Sequence, residues 1–394
     1  MEGEVLAALK QLYSLFALMK SITILKATNP DEQRLVFTKK FLLRYARLLL
    51  VVGALAPAFS VNADPITDLR SLSVFKDADL AKLAGGSISA TAVPNMQLAR
   101  DMSVQSAYVV RAPVRTAVGL IQRWDPTRHA ELRTYLQGNL SQRTSANDFQ
   151  SLASAPSNSS VRALVAATEK LPGDASGLQL SGAEANQYSA VGSNGRSVPG
   201  PVVSFWSRVL AQRVDSFVSG GLGAQPPYQT TGETISPATE VRQLIESSGN
   251  ARSYFSSVIS ATPAGGGRGS LTPSLSWQLF DADGQAVASL DAFYARPVGD
   301  GYQTVDIGYY SSGRYYAVVT LQQLWPVQVG GRDATLIWRV DLVSSPEYSG
   351  QRGINRLGSG AATMRQIQAN IGAFLKDLAV ISNSDRQMVG SIQE

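Results

Sequence analysis

The stretch from Leu275 to Val343 restricts the fold more than any other part of the chain. It holds five strand-like runs, SLSWQLF, AVASLDAFYA, YQTVDIGYY, YYAVVTLQQLW and ATLIWRVDLV, separated by DADG, RPVGDG, SSG and VGGRD. Each separator suits a hairpin, whereas a parallel crossover needs about a dozen residues or more, so the runs predict an antiparallel meander. Such a sheet needs cover on at least one face. The cover is expected beyond Gly358-Ser359-Gly360, where Met364, Ile367, Ile371, Phe374, Leu375 and Leu378 form an apolar stripe at helical spacing. Arg365, Gln368 and Lys376 fall elsewhere on the same wheel. The expected fold class is α+β, an antiparallel β-meander packed against a C-terminal amphipathic helix, with a helix- and loop-rich N-terminal half.

That first half reads as short elements between Gly, Ser and Pro spacers. Asp77–Leu83 predicts a short helix stopped at Gly85-Gly86, and Met102–Arg111 alternates as a strand. Pro113 opens a helix carrying Val114, Ala117, Val118 and Ile121. Further helices are expected up to Leu171 with Ser159 or Ser160 as the cap, over Phe205–Phe217, and after Ser236-Pro237. The spacers GDASG, GSNGRSVPGP, GAQPPYQTTG and PAGGGRG read as flexible connectors. The organisation expected is an extension and export segment over 1–63, a helix- and loop-rich region over 64–270, the sheet and last helix over 271–382, and a tail over 383–394.

Composition narrows the chemistry. The absence of Cys excludes disulfides, thiolate metal sites and a cysteine nucleophile, and a single His excludes a multi-histidine metal centre. The net charge of +5 invites a nucleic-acid reading, but residues 1–63 hold 8 of the basic and 4 of the acidic residues. The rest of the chain is nearly balanced, with 27 basic against 26 acidic residues and no basic run, so no nucleic-acid partner is expected. The excess sits around a signal-like segment: Lys39, Lys40, Arg44 and Arg47, then the uncharged run LLLVVGALAPAFSVNA, ending in Val61-Asn62-Ala63. Its sixteen residues are short of the ~20 that span a bilayer, so cleavage after Ala63 into the bacterial periplasm or medium is expected. Membrane contact is then expected through the uncleaved leader only. The 38 residues ahead of Lys39 make the leader longer than an ordinary signal, which fits either a start at Met19 or a long signal anchor.

A strand and an Ala-Pro helix start in Tyr108-Val-Val-Arg-Ala-Pro-Val-Arg-Thr-Ala-Val, a late strand over Ala334–Val343 and a terminal helix over Ala361–Leu378 occur in a telling order. This order resembles the helix-grip fold of the START/polyketide-cyclase-like superfamily, and the likeness covers the two ends of roughly 100–380. It implies a sheet wrapped around the last helix, with a cavity for a lipid, sterol or other apolar ligand. The chain departs from the family in the roughly 130 residues that stand where a short helical segment is usual.

The motifs for catalysis are weak. His129 beside Glu131 has no nucleophile placed near it and reads as an exposed helix-start histidine. Ser73-Val-Phe-Lys76 matches S-x-x-K without its K-T-G and S-D-N partners. Asp281-Ala-Asp283-Gly284 lacks the remaining ligands of a calcium loop and reads as a hairpin turn, and the glycines of 264–269 read as a linker. No catalytic residue, cofactor or metal is expected.

The aromatic meander is the stronger signal, because Tyr and Trp supply apolar bodies with polar handles. The residues nominated to line a cavity between sheet and last helix are Trp277, Phe293, Tyr309, Tyr316, Trp338, Ile367, Ile371 and Phe374. Arg296, Arg314 and Arg339 are candidates to orient an anionic headgroup, or else solvated charges at sheet edges. The function expected is non-catalytic binding of an apolar or amphipathic, lipid-like small molecule by an exported protein. The alternatives are a cell-envelope module that binds another protein, and a hydrolase whose site is not legible.

Overall fold

The computed structural model describes residues 64–390, apart from 94–95, 190–197, 231–232 and 350–353. The leader with its signal-like segment and Met19, and most of the GSNGRSVPGP connector, lie outside the described residues. The chain divides into two units, Met1–Asn62 and Ala63–Glu394, and only the second is described.

Its first elements are α1 (Pro65–Leu72), α2 (Leu80–Ala84), β1 (Ser89–Val93), β2 (Asp101–Val110), α3 (Val114–Gln122) and β3 (Thr134–Leu140). The middle of the chain supplies α4 (Ser159–Glu169), α5 (Gly200–Gly220), the small hairpin β4 (Tyr228–Thr230) and β5 (Glu233–Ile235), and α6 (Pro237–Ser247). The meander follows as β6 (Ser274–Ala282), β7 (Gln285–Val298), β8 (Gly301–Ser311), β9 (Ala317–Val329) and β10 (Arg332–Ser344), and α7 (Ile354–Gly390) ends the chain. The helix starts are set by side-chain caps: Asp79 accepts from the amides of Ala81 and Lys82, Asn158 from Val161, and Ser236 from Thr239. The cap of α4 is therefore Asn158 and not Ser159 or Ser160, which lie within its first turn.

The five expected strands are present, but they belong to a larger antiparallel sheet of eight strands, ordered β1-β2-β10-β9-β8-β7-β6-β3. The first long strand, β2, pairs with the last, β10, and β3 closes the far side beside β6. The composition of β3 hides it as a strand. Gly138 lies opposite Trp277, and a side chain there would collide with the indole that covers it. The β6–β7 turn needs left-handed backbone at Asp283 (φ 50) and Gly284 (φ 83), as a two-residue hairpin does.

The two faces of the sheet are covered differently. The outer face packs on α4, α5 and α6 through one continuous core that includes Trp206, Phe217, Phe255, Trp277, Tyr309 and Trp338. The spacers read as flexible connectors take part in this layer. The Gly177 carbonyl, for instance, accepts from Gln285 Nε2 at 3.0 Å. Below the helices Arg213 of α5 is fully buried, and its Nε and Nη2 donate to the two Glu184 carboxylate oxygens at 2.7 and 2.6 Å. Its guanidinium also stands 4.6 Å from the Tyr310 ring centre. The inner face meets α3 and α7 in a smaller cluster of Val104, Tyr108, Leu324, Ile337, Ile367, Ile371 and Phe374. The meander is thus packed against the C-terminal amphipathic helix.

Candidate functional site

Strand register assembles a polar stripe on the inner face. Phe293, Asp306, Thr320, Asp341 and Val104 lie opposite one another in turn across β7, β8, β9, β10 and β2. The next row is Ala295, Thr304, Gln322, Arg339 and Ser106. Apolar rows flank the two. Tyr302, Leu324, Ile337 and Tyr108 lie towards α3, and Gly308, Val318, Val343 and Met102 lie on the other side. Asp291 stands opposite Gly308 and therefore diagonal to Asp306. A side chain at Gly308 would come within 3.2 Å of the Asp291 carboxylate, so glycine is what leaves room for it.

The stripe is satisfied at one end and not at the other. Arg339 Nε donates to both Asp341 oxygens at 3.0 and 2.8 Å, its Nη2 donates to Oδ1 at 2.6 Å, and Thr320 Oγ1 donates to the same carboxylate at 2.9 Å. Towards β7, Asp291 accepts from Ser289 Oγ at 2.9 Å and from no other side chain among the described residues. Asp306 Oδ1, Thr304 Oγ1, Gln322 Oε1 and Ser106 Oγ are buried with no hydrogen-bond partner among the described residues. Thr304, Gln322 and Ser106 are 1%, 3% and 0% exposed, so bulk water does not reach their side chains. Asp291, Phe293, Ala295, Tyr302, Asp306 and Gly308 are half-buried although β7 and β8 are interior strands, so among the described residues this part of the inner face is an incompletely covered trough near α7.

Electrostatics follow from this packing. Removal from water pushes the Asp291 and Asp306 carboxyls upward, and the charge of Asp306 raises Asp291 further. Arg339 opposes the rise at Asp306 but is already engaged by Asp341. Burial pushes the Tyr108 phenol up to about 12, against the pull of Arg339. Two carboxyls that interact in this way lose their protons as a pair and not independently.

The eight residues nominated from sequence divide between the two faces, so they cannot line one cavity under the last helix. Phe293, Ile367, Ile371 and Phe374 are on the inner side. Trp277, Tyr309, Tyr316 and Trp338 are on the outer side, where helices cover them. Tyr309 stacks on Phe217 with ring centres 3.9 Å apart, and Trp338 lies between Tyr254 and Phe255. Successive strand residues face opposite ways, so aromatic content alone mixes the two sets. Of the three arginines, only Arg339 reaches the stripe, and it is central in the sheet, not at an edge. Arg296 donates to the Ser257 carbonyl on the outer side, and Arg314 pairs with Glu347.

The other motifs have structural roles. His129 is not exposed: its Nε2 lies 3.0 Å from an Asp377 oxygen, and Trp124 Nε1 donates to the other oxygen at 3.0 Å. The histidine thus helps hold α7 against the chain that follows α3. Ser73 Oγ donates to the Leu69 carbonyl while Lys76 Nζ turns to Arg70 and Ser71 carbonyls, so the two do not form an acylating pair. Asp281 Oδ1 accepts from the Gly284 amide within the hairpin turn. No group of three or more metal-ligating side chains occurs among the described residues. The 264–267 loop borders a 550 Å³ cavity in the outer helical layer, beside Arg242, Glu246 and Arg252, which are exposed.

Compared with known proteins, the chain matches no family model, no curated protein and no solved structure.

Proposed function

We propose that this chain is a non-catalytic binding protein that holds an amphipathic small molecule in the trough between the inner face of the sheet and α7. The observation that carries the reading is the half-satisfied polar stripe. Within the stripe the half-buried Asp291 and Asp306 are the residues a bound molecule would reach, and a polar group placed on their carboxyls would offset part of the cost of removing them from water. The flanking Phe293, Ala295 and Tyr302, each half-buried, offer apolar surface for the rest of the molecule.

The order of elements supports the likeness to the helix-grip superfamily. A first strand lies beside the last, helices connect it to the strand at the far edge, and the terminal helix lies on the inner face. The long stretch between β3 and β6 packs on the opposite face, where it leaves the trough open. Export through the leader would set the binding in the cell envelope or medium.

The test is saturable binding of the neutral fluorescent probe N-phenylnaphthylamine to the full chain. Wild type is expected to bind it, and Ala295→Trp, which fills the trough from β7, is expected to lose binding while keeping its melting temperature. Equal binding by both proteins, or no saturable binding by wild type, would overturn the reading.

A further inference from the structure

We propose that the outer helical layer carries a separate binding site, for an amphipathic organic anion, in the 550 Å³ cavity bordered by Arg242, Arg252 and the glycine loop of 264–267. The site goes beyond the trough and does not depend on it, because the two lie on opposite faces of the sheet.

The cavity has the makeup of a small-molecule site. Its volume falls within the roughly 300–1,000 Å³ of ligand pockets, and the buried Leu222, Ile245, Ile259 and Pro263 give it an apolar wall. Its rim is fixed by packing and is not a slack linker. A Cβ at Gly265 would stand 2.6 Å from Ser260 Cα, and one at Gly269 would stand 2.6 Å from the Ala261 carbonyl oxygen. Glycine at both positions therefore lets the loop lie down on the helical segment before it. The Ala261 carbonyl also accepts from the amides of Ser270 and Leu271, at 2.8 and 3.0 Å, which ties down the far end of the loop.

The charges at the mouth set the class of ligand. They are two exposed guanidiniums, Arg242 of α6 and Arg252 of the short helix Asn250–Tyr254, against one carboxylate, Glu246. Glu246 stands four residues beyond Arg242 on the same helix, yet neither arginine forms an ion pair with it or with another carboxylate among the described residues. Arg242 makes one long bond, from Nη2 to Thr239 Oγ1 at 3.4 Å. An anionic headgroup would meet two planar groups that only donate, while its apolar body lies against the wall. A cationic headgroup would meet a net positive mouth.

Titration calorimetry of the full chain with naphthalene-2-sulfonate tests the site. Wild type is expected to bind it saturably, and more weakly as salt screens the arginines. The double variant Arg242→Gln/Arg252→Gln should bind about fivefold or more weakly, the margin open to two partly exposed ion pairs. The matched pair Arg162→Gln/Arg332→Gln, which removes two exposed charges elsewhere, should bind as wild type does. Gly223→Trp, at an exposed lining position with room for a Cβ, should abolish binding by filling the cavity. Ala295→Trp, which fills the trough on the opposite face, should leave it unchanged. The proposal is overturned if wild type shows no saturable binding, if the two double variants bind alike, or if Ala295→Trp abolishes binding while Gly223→Trp does not.

Discussion

The outer and inner faces of the sheet are built by the same strands from alternate residues, and they have opposite character. On the outer face, β10 contributes Ala334, Leu336, Trp338, Val340 and Leu342, each buried under helices. On the inner face the same strand contributes Thr335, Ile337, Arg339, Asp341 and Val343, and β8 and β9 add Thr304, Asp306, Thr320 and Gln322. A face whose only task is to hold the fold is expected to be apolar, since burying polar groups costs free energy unless each is paired. The outer face comes closer to that expectation, although the Tyr309 hydroxyl and Gln303 Oε1 are buried there without a partner among the described residues. The inner face departs from it over five adjacent strands, and unpaired buried groups of this kind concentrate where a protein does something besides fold.

The contrast can be broken by substitution. Trp338→Ala on the outer face should cost about 3–5 kcal/mol, because a large ring is removed from a close-packed core. A loss under about 1 kcal/mol by urea denaturation would mean that the outer face is not the stabilising one.

Asp291→Asn probes the inner face through pH. The folded protein holds protons on Asp291 and Asp306 more tightly than the unfolded chain does. Their contribution to stability is therefore present below the ordinary carboxylate range and is lost as pH rises through the raised folded values. Arg339, Asp341 and the Tyr108 and Tyr302 hydroxyls are the other titratable groups on that face, and Arg339 stays protonated throughout. Thermal melts at about pH 5 and about pH 9 should show the variant gaining over wild type much more at the higher pH. An equal effect at both would place the two carboxyls in ordinary solvent.

Thr304→Val carries the smallest effect. It removes an unpartnered buried hydroxyl at nearly constant volume and should leave stability within about 1 kcal/mol of wild type or raise it. A loss of about 2 kcal/mol or more would mean that the hydroxyl has a partner in the folded chain, and the contrast between the faces would narrow.

Much of the architecture was legible because it is written locally. Period-two runs with turn residues between them mark β6–β10, and the stripe Met364–Leu378 marks the packed part of α7. The edge strands were not legible. β1 (SATAV) consists of small residues, and β3 (TYLQGNL) carries a glycine whose reason is Trp277, far along the chain.

The site was legible only in fragments. Phe293 and Arg339 could be named from the sequence, but Asp291, Asp306, Thr304, Thr320 and Gln322 each look like an ordinary polar residue on the wet side of a strand. The available signal was the strand order: β8, β9 and β10 are interior strands beneath helices, so their polar residues at alternate positions have no open side to face.

By itself, the sequence determined the class of fold, the number of strands in the meander and the helix that covers it, because turns, caps and apolar periodicity act within a few residues of one another. It also ruled out cysteine chemistry and a multi-histidine centre. Only the tertiary structure decided which aromatics share a face, that the Ser- and Gly-rich middle of the chain forms the outer layer, and that Asp291 and Asp306 from neighbouring strands stand diagonal to each other on the inner face. The physical reason is register. A shift of one residue sends every side chain of a strand to the other face, and register is set by pairing between segments up to 243 residues apart, as Asp101 of β2 with Ser344 of β10.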